Sequence, residues 1–349
     1  MSNHKSDLWS RREFLRTAAF SGAGALLGWQ SDGIAAEPPP ETTKLRLARS
    51  PTACWAPVYL AEQLLRSEGF TDVQYLNLRG GSQTDPETGK MLASGQADIG
   101  MGFVGPRVLS LDAGEPIVIL AGVHVGCFEL FGADRVRSIR DLKGKRVAVN
   151  RLGSPSYMLV SIILANLGLD PRKDINWVTG ADADSVRLLA EKKIDALLLS
   201  SGNRPFPQEL RAKKIGHVIL NSMMDRPWSQ YFCCLLTGNR EFVRKHPVAT
   251  KRALRAILKR ADMIAREPER TARLLVEKGY AKNDDYKYVH QMMKEIPYGQ
   301  WREYEPEDTL RFYALRLHEV GMIKSSPQKI IAQGTDWRFL KELKKELKT

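Results

Sequence analysis

The chain has 349 residues, of which 43% are hydrophobic and 27% charged, and its formal net charge is +13 at pH 7. The length is sufficient for two domains with a sizeable core, and the composition is that of an ordinary α/β protein. Basic residues alternate with acidic ones along helix-like stretches such as "KRALRAILKRADMIAREPER". This alternation is typical of solvated helix faces, so we expect no nucleic-acid partner.

The first 36 residues have the pattern of an export signal. The stretch "SRREFLR" contains twin arginines, and a short, mildly apolar run with small residues follows it. This pattern predicts a twin-arginine signal at 1–36, cleaved after Ala36, and therefore a periplasmic protein. Since "IAA" is not a strict A-x-A cleavage site, retention as an uncleaved membrane tether stays open. The segment 37–43, "EPPPETT", predicts an extended linker.

Strand-like and helix-like segments alternate from Lys44 onward. Strands are predicted at "KLRLARS", "DVQYLNL", "QADIGMG", "PIVILAGV" and "KRVAVN", with helical stretches between them. This alternation predicts an α/β fold with layered, mainly parallel sheets. From residue 241 the pattern is nearly continuous helix with a break near Pro268, which predicts a helical C-terminal portion that wraps one lobe.

One pattern occurs twice in the chain. "MLASGQADIGMGFVGP" and "LLAEKKIDALLLSSGN" each lead from a helix end through an aspartate into an apolar strand, and small or polar residues follow. We interpret Asp98 and Asp195 as turn residues at strand entrances rather than catalysts. The repetition predicts two similar lobes that share a cleft, because ligands of open α/β sheets bind at the carboxyl ends of strands.

The segment "RLGSPSY" lies between a predicted strand and an apolar helix. Ser154 suits a helix N-cap, and Pro155 suits the first helical position. The backbone N–H groups that follow lack partners within the helix, and such helix ends bind anions.

Other motifs argue against an enzyme. Gly100, Gly102 and Gly105 spell the dinucleotide fingerprint G-x-G-x-x-G, but Pro106 biases Gly105 away from helical angles. We therefore predict that the helix begins after the motif and that no nucleotide binds there. The six histidines show no zinc-ligand spacing, and neither a nucleophile elbow nor a phosphate-binding loop is present. The sequence thus predicts no catalytic residue, no metal and no cofactor.

The four cysteines fit neither a zinc ribbon nor a dense disulfide framework. Neighbouring side chains of a strand face opposite ways, so we interpret Cys233 and Cys234 as two small buried thiols. A disulfide between Cys54 and Cys127 stays an open alternative in an oxidising compartment.

The loops after the predicted strands combine small residues, hydroxyls and amides with aromatic side chains, a mixture that suits a small-molecule pocket. Ser154, Ser156 and the N–H groups after them are expected to hold an anionic or carbonyl head group, with Arg79 or Arg151 as candidate charge partners. The glycines and Ser82 of "RGGSQ" are expected to contact it from the facing lobe. The complete set of predicted ligand-binding residues is Trp55, Gly80, Gly81, Ser82, Phe103, His124, Ser154, Ser156, Tyr157, Asn203 and Trp228.

Several segments resemble the periplasmic substrate-binding proteins of the nitrate/sulfonate/taurine ABC-transporter family. The resemblance covers nearly all of residues 44–280, and its most specific parts are "DLKGKRVAV" and "ASGQADIG". It implies a type II periplasmic-binding-protein fold, with two α/β lobes, two crossover strands and ligand held between the lobes. It also implies a monomeric, non-enzymatic receptor that delivers a small solute to a membrane permease driven by an ATPase.

Mapped onto this chain, the family fold predicts the lobe boundaries. The first lobe comprises 44–125 and 230–349, the second comprises 126–229, and the hinge crossings lie near 124–131 and 226–232. Two alternatives remain. The related thiamine-pyrimidine synthases carry a cysteine-rich iron motif, which "YFCCLL" lacks. A basic protein that binds nucleic acid or lipid would show a steep salt dependence.

Overall fold

Two five-stranded mixed sheets form the framework of the protein. The computed structural model describes residues 37–50, 52–77, 85–204 and 206–348, and the predicted export signal lies outside them. The described residues from Pro40 onward belong to one structural unit. The strands in chain order are β1 (Lys44–Arg49), β2 (Asp72–Asn77), β3 (Ile99–Phe103), β4 (Ile117–Val125), β5 (Phe128–Gly132), β6 (Arg146–Val149), β7 (Asn176–Thr179), β8 (Ala196–Ser200), β9 (His217–Asn221) and β10 (Phe232–Asn239).

The helices cover the sheets and form the C-terminal portion. Among the described helices, none combines the length and apolar composition needed to cross a membrane. In chain order they are α1 (Ala56–Tyr59), α2 (Glu62–Ser67), α3 (Asp85–Ala93), α4 (Val104–Asp112), α5 (Pro155–Ala165), α6 (Asp182–Ala190), α7 (Pro207–Lys213), α8 (Arg240–Lys245), α9 (Pro247–Arg266), α10 (Pro268–Glu277), α11 (Tyr286–Glu295), α12 (Pro306–Glu319), α13 (Pro327–Gly334) and α14 (Arg338–Glu346).

The two sheets have equivalent topologies. The first has the order β2-β1-β3-β10-β4 and the second the order β7-β6-β8-β5-β9. In each sheet three neighbouring strands are parallel, and the fourth runs antiparallel to both of its neighbours. The strands of β3, β4 and β10 are buried along their whole length, as expected where both faces of a sheet are covered.

The chain passes between the sheets twice. It leaves the first sheet after β4 and enters the second at β5, through residues 126 and 127 alone. It returns from β9 to β10 through residues 222–231. Ser222, in the second passage, holds the backbone of the first. Its Oγ accepts hydrogen bonds from the N–H groups of Cys127 and Phe128, at 3.1 and 2.8 Å.

Asp98 and Asp195 occupy equivalent places at the entrances of β3 and β8. Each is buried and accepts a hydrogen bond from the backbone N–H of an arginine on the neighbouring parallel strand, Arg46 at 2.7 Å and Arg146 at 2.8 Å. The guanidinium groups of the same arginines also contact the two carboxylates. As predicted, the two aspartates lie at strand entrances, and each one joins two strands.

The prediction for the glycine motif is wrong in one respect. Helix α4 begins at Val104, inside the motif, because Pro106 falls in the first helical turn, where a missing N–H costs no hydrogen bond. Gly100 and Gly102 lie within β3 and are buried. A Cβ on Gly100 would lie 3.0 Å from Thr88 and 3.1 Å from Ala48, so this glycine serves helix and strand packing.

The C-terminal helices pack against helices that cover each of the two sheets. Helix α9 buries Leu254, Ile257 and Leu258 and packs against α1 and α2 of the first lobe. Helix α12 packs against α4 and also against α5, which lies on the second sheet. The expectation that the helical portion wraps a single lobe is therefore too narrow.

Candidate functional site

A cavity of about 490 Å³ lies where the carboxyl ends of strands from both sheets meet. Ser50 follows β1, Phe103 ends β3, Asn150 follows β6 and Ser200 ends β8, and all four line the cavity. The volume is within the range of small-molecule sites, and the position is the usual one for ligands of α/β sheets. The full lining is Ser50, Thr52, Cys54, Trp55, Phe103, Cys127, Phe128, Asn150, Arg151, Ser154, Pro155, Ser156, Ala181, Asp182, Ala183, Leu198, Ser200, Asn203, Arg204, Cys233 and Cys234.

The N-terminus of α5 forms one wall of the cavity. Ser154 is the N-cap of this helix and accepts a hydrogen bond from the N–H of Tyr157 at 3.2 Å, while Pro155 is the first helical residue. The hydroxyl groups of Ser154 and Ser156 lie 2.9 Å apart, and both side chains are buried. The predicted cap is confirmed. The wall presents two hydroxyls and a helix N-terminus, a combination that suits an anion or a carbonyl oxygen.

A carboxyl group adjoins this wall. Asp182 is the first residue of α6, and its Oδ1 accepts a hydrogen bond from Nδ2 of Asn150 at 2.8 Å. Burial raises the pKa of Asp182 to about 6, although the hydrogen bond from Asn150 lowers it. The carboxyl group therefore changes its charge just below neutral pH, inside the cavity wall.

The facing wall carries the aromatic side chains of the first lobe. Trp55 and Phe103 are buried at the cavity, and Phe103 packs edge-on against Phe128 with ring centroids 5.2 Å apart. The two walls touch at one end, where the N–H of Ala53 donates to the carbonyl of Gly202 at 3.1 Å. The space between the lobes is consequently a pocket with apolar and polar sides.

Four thiols form the floor of the cavity. Cys54, Cys127, Cys233 and Cys234 are all buried, all free and all among the residues that line it. The predicted burial of the thiols is confirmed, whereas no disulfide joins Cys54 to Cys127. The expectation that Cys233 and Cys234 face opposite ways is wrong. The register of β10 against β4 shifts on both sides of Cys234, which brings both thiols to the same cavity.

The thiols differ in acidity. Hydrogen bonds from Cys127 and Cys234 hold the pKa of Cys54 well below its usual value. Burial raises the pKa of the thiols of Cys127 and Cys233 well above the usual value.

The chain matches a known protein family. The sequence profile of the NMT1-like family matches residues 38–277. The chain belongs to the NMT1-like family. Two solved structures similar to this NMT1-like protein are binding proteins. One is the periplasmic nitrate-binding protein NrtA from Synechocystis PCC 6803, with TM-score 0.68, 16% identity and coverage of 89% of this chain and 90% of that one.

The second is the periplasmic aliphatic sulphonate-binding protein SsuA from Escherichia coli, with TM-score 0.66, 16% identity and coverage of 85% of this chain and 94% of that one. These similarities confirm the predicted periplasmic-binding-protein fold with two α/β lobes. The predicted resemblance to the nitrate and sulfonate receptors of ABC transporters is confirmed as well.

Among curated sequences, the NMT1-like protein is similar to a yeast enzyme. It is 22% identical over 250 residues to the 4-amino-5-hydroxymethyl-2-methylpyrimidine phosphate synthase THI11 of Saccharomyces cerevisiae. The match covers 68% of this chain and 71% of the yeast protein. Receptors and an enzyme thus lie among the relatives of this fold.

The structure brings only part of the predicted site together. Five of the predicted residues line the cavity: Trp55, Phe103, Ser154, Ser156 and Asn203. Three others are not among the residues that line it. His124 is fully buried beside the thiols, the ring of Tyr157 packs on Trp177 at 4.8 Å, and that of Trp228 packs on Phe312 at 5.5 Å. Gly80, Gly81 and Ser82 lie outside the described residues, as does Arg79.

Sequence analysis missed the thiols, Ser50, Thr52 and Asp182 as cavity residues. Ser50 and Thr52 belong to the same strand-end loop as Trp55, so their position was already a signal. Asp182 opens a helix after β7, where an acidic residue favours the helix N-terminus. Cys54 lies in the same loop and shared that signal, whereas the meeting of all four cysteines could not be predicted, since they come from three distant segments.

Proposed function

We propose that the NMT1-like protein is a solute-binding receptor of an ABC importer. The observation that carries the proposal is the cavity between the two sheets, with the Ser154 and Ser156 hydroxyls and a helix N-terminus on one wall and aromatic rings on the other. Its fold similarity to nitrate- and sulphonate-binding proteins supports a small, anionic or polar solute. Ligand that bridges both lobes favours the closed form through its greater affinity for that form.

The ligand-binding residues of the proposal are those that were predicted from the sequence and also line the cavity: Trp55, Phe103, Ser154, Ser156 and Asn203. The hydroxyls of Ser154 and Ser156 and the N–H of Ser156 hold the head group, since the N–H groups of Tyr157 and Met158 already donate to Ser154. Trp55 and Phe103 cover the rest of the solute. Arg151 and Arg204 line the same cavity, and Arg204 forms an ion pair with Asp285 at 2.8 Å. Arg151 is the cationic candidate for charge neutralisation that sequence analysis also named.

The proposal includes the lobe boundaries and the setting. The first lobe comprises 44–125 and 230–349, and the second comprises 126–229, which agrees with the membership of the strands in the two sheets. The protein is exported through the twin-arginine signal at 1–36, acts as a monomer in the periplasm, and delivers solute to permease and ATPase subunits. Its fold neighbours are themselves periplasmic binding proteins, which supports this setting.

A thermal-shift screen tests the proposal. The exported form of the protein is heated with nitrate, alkanesulfonates, bicarbonate and vitamin precursors, one at a time. A specific ligand raises the melting temperature by mass action, and a hundredfold excess over Kd contributes about 2.7 kcal/mol. A saturable rise with one compound class supports the receptor. A melting temperature that none of these solutes changes contradicts it.

The similarity to the yeast synthase favours a second candidate, an enzyme on the same fold that forms a pyrimidine phosphate. The two candidates differ in the fate of the bound compound. A receptor returns its solute unchanged after denaturation of the complex, whereas an enzyme returns a product. Mass spectrometry of the released compound distinguishes them.

A further inference from the structure

The thiol floor of the cleft has a composition that solute capture does not require. The chain contains four cysteines in 349 residues, and all four meet at this one place. They come from the loop after β1, from the first passage between the sheets and from the start of β10. His124, at the end of β4, joins them. We propose that Cys54, Cys127, Cys233, Cys234 and His124 form a binding site for one thiophilic metal ion.

The distances are those of a ligand cluster. The ligand atoms of Cys54, His124 and Cys234 all lie within 4.8 Å of one another, and so do those of His124, Cys127 and Cys233. The Sγ atoms of Cys127 and Cys233 are 2.7 Å apart, and those of Cys233 and Cys234 are 4.0 Å apart. In a tetrahedral site with Zn–S bonds of about 2.3 Å, sulfur atoms are separated by roughly 3.8 Å. The two observed separations lie on either side of that spacing.

The hydrogen bonds of His124 leave its other nitrogen ready for a metal. Nδ1 lies 3.3 Å from the carbonyl oxygen of Val125 and 3.2 Å from that of Gly126. Both partners are acceptors, so Nδ1 carries the proton, and the lone pair resides on Nε2. Nε2 is buried and has no hydrogen-bond partner among the described residues. A backbone carbonyl that fixes the tautomer in this way is the usual support for a metal-ligating histidine.

The backbone that carries the ligands is held firmly. The carbonyl of Cys54 accepts a hydrogen bond from the hydroxyl of Tyr298 at 3.1 Å. The N–H of Cys127 donates to Ser222 Oγ, and its carbonyl accepts from the N–H of Ser201 at 2.7 Å. A site whose ligands are positioned before the ion arrives loses less entropy on binding.

The donor set selects the class of ion. Four thiols and an imidazole are soft or borderline ligands, and neither group of ligands includes a carboxylate. Such a set favours Zn²⁺ or Cu⁺ over Mg²⁺ or Ca²⁺, which prefer oxygen. Because one imidazole has a single free lone pair, the two overlapping groups share His124 and hold one ion. The ion enters through the cavity, which the thiols already line.

The test is an anaerobic titration of the reduced, chelator-treated protein with Zn²⁺ and, in a separate arm, with Cu⁺. Calorimetry measures the stoichiometry, and Co²⁺ substitution detects thiolate ligation through its charge-transfer absorption. We expect one equivalent of ion and thiolate bands with Co²⁺. The ratio of the two affinities shows how strongly this donor set prefers one ion over the other. Because no solute is present in this titration, a failure to bind metal does not contradict the receptor proposal. In the same way, a failure to bind solute does not contradict the metal site.

Variants locate the ion. Cys127→Ser with Cys234→Ser removes one thiol from each group of three, and it should weaken binding by more than the roughly 10–100-fold that changes to outer partners cause. His217→Ala removes an exposed histidine and should bind like the wild type. Circular dichroism confirms that each variant is folded. Absence of one-to-one binding in the wild type, or undiminished binding by the folded double variant, would overturn the proposal.

Discussion

Arg211 on α7 forms an ion pair with Glu295 on α11, with Nη2 and Oε1 2.6 Å apart. The same guanidinium contacts the fully buried Glu129 on β5 through Nη1, at 2.8 Å. Gln208, one turn earlier on α7, donates to the second oxygen of Glu295 at 2.8 Å. One shared polar cluster therefore links the second sheet to the C-terminal helices.

Replacement of Arg211 by methionine should destabilise the protein. Glu129 then remains buried without its cationic partner, and the link to Glu295 is lost. We expect a decrease of about 2 kcal/mol in the free energy of unfolding, below the roughly 3–5 kcal/mol for breaking a fully buried pair, because the Arg211 side chain is 28% exposed. Urea unfolding measures the decrease. The matched control is Lys213→Met on the same helix, whose exposed, solvent-screened pair with Glu209 should contribute little to stability. Equal effects of the two substitutions would contradict the structural role of Arg211.

The contact between Ala53 and Gly202 limits how closely the lobes approach. A Cβ on Gly202 would lie 2.6 Å from Sγ and 3.2 Å from the backbone nitrogen of Cys54, so Gly202→Ala should separate the two loops. We expect a larger radius of gyration by small-angle X-ray scattering and weaker solute binding, since the closed form becomes less favourable.

Gly180→Ala provides the control for that experiment. Gly180 also lies in the second lobe near the cavity, but nothing described lies within 4 Å of its added Cβ. Its alanine variant should keep the wild-type dimensions and affinity. If Gly202→Ala leaves both quantities unchanged as well, the two loops do not limit closure.

Solute binding should depend on pH through Asp182. Burial raises the pKa of this carboxyl group to about 6, so it is neutral below that pH and negative above it. An anionic solute should therefore bind more tightly as the pH falls through 6. The raised pKa has a second consequence. The folded state holds the proton of Asp182 more strongly than the unfolded chain does. The folding stability that this bound proton contributes is therefore lost as pH rises through 6.

Asp182→Asn should remove both pH effects, and calorimetry between about pH 5 and pH 8 measures the first. Asp184→Asn, two residues further along the same helix, changes an exposed carboxylate and should leave the pH dependence intact. Identical pH profiles for the wild type and Asp182→Asn would show that another group controls binding.

Ser154 has a structural role that is separate from any role in binding. As the N-cap of α5, it accepts the N–H of Tyr157, and Ser154→Ala should cost about 1 kcal/mol of stability. Ser326 caps α13 in the same way, accepting the N–H of Lys329 at 3.3 Å, far from the cavity lining. Ser326→Ala should therefore show a similar loss in thermal unfolding. A loss at Ser154 much greater than at Ser326 would mean that the cap alone does not account for its stabilising effect.

Local features of the sequence predicted local structure well. Ser154 caps the N–H of Tyr157, and Pro155, the first residue of α5, has no N–H to satisfy, so no distant contact was needed to place the helix start. The alternation of strands and helices, with the family resemblance, was sufficient for two α/β lobes. The effect of Pro106 was predicted wrongly. Proline biases the preceding residue away from helical angles, but this bias is weaker than the tolerance of the first helical turn for a residue without an N–H.

The cavity depended on contacts that no local pattern encodes. The cysteines are up to 180 residues apart in sequence, and their meeting depends on the passage from β4 to β5 and on the register shift in β10. Period-two alternation assigned Cys233 and Cys234 to opposite faces, and the shift reverses that result. His124 was chosen from its position at a strand end, and the structure places it beside the thiols.

Calorimetric titration with the solute that raises the melting temperature tests the central claim most directly. The wild type, the Ser154→Ala/Ser156→Ala double variant and the Ser326→Ala control are compared below their melting temperatures. The account predicts one binding site, an affinity at least about tenfold lower in the double variant, equivalent to about 1.4 kcal/mol, and wild-type affinity in the control. Equal affinities for the wild type and the double variant would contradict the claim that this helix N-terminus holds the solute between the two lobes.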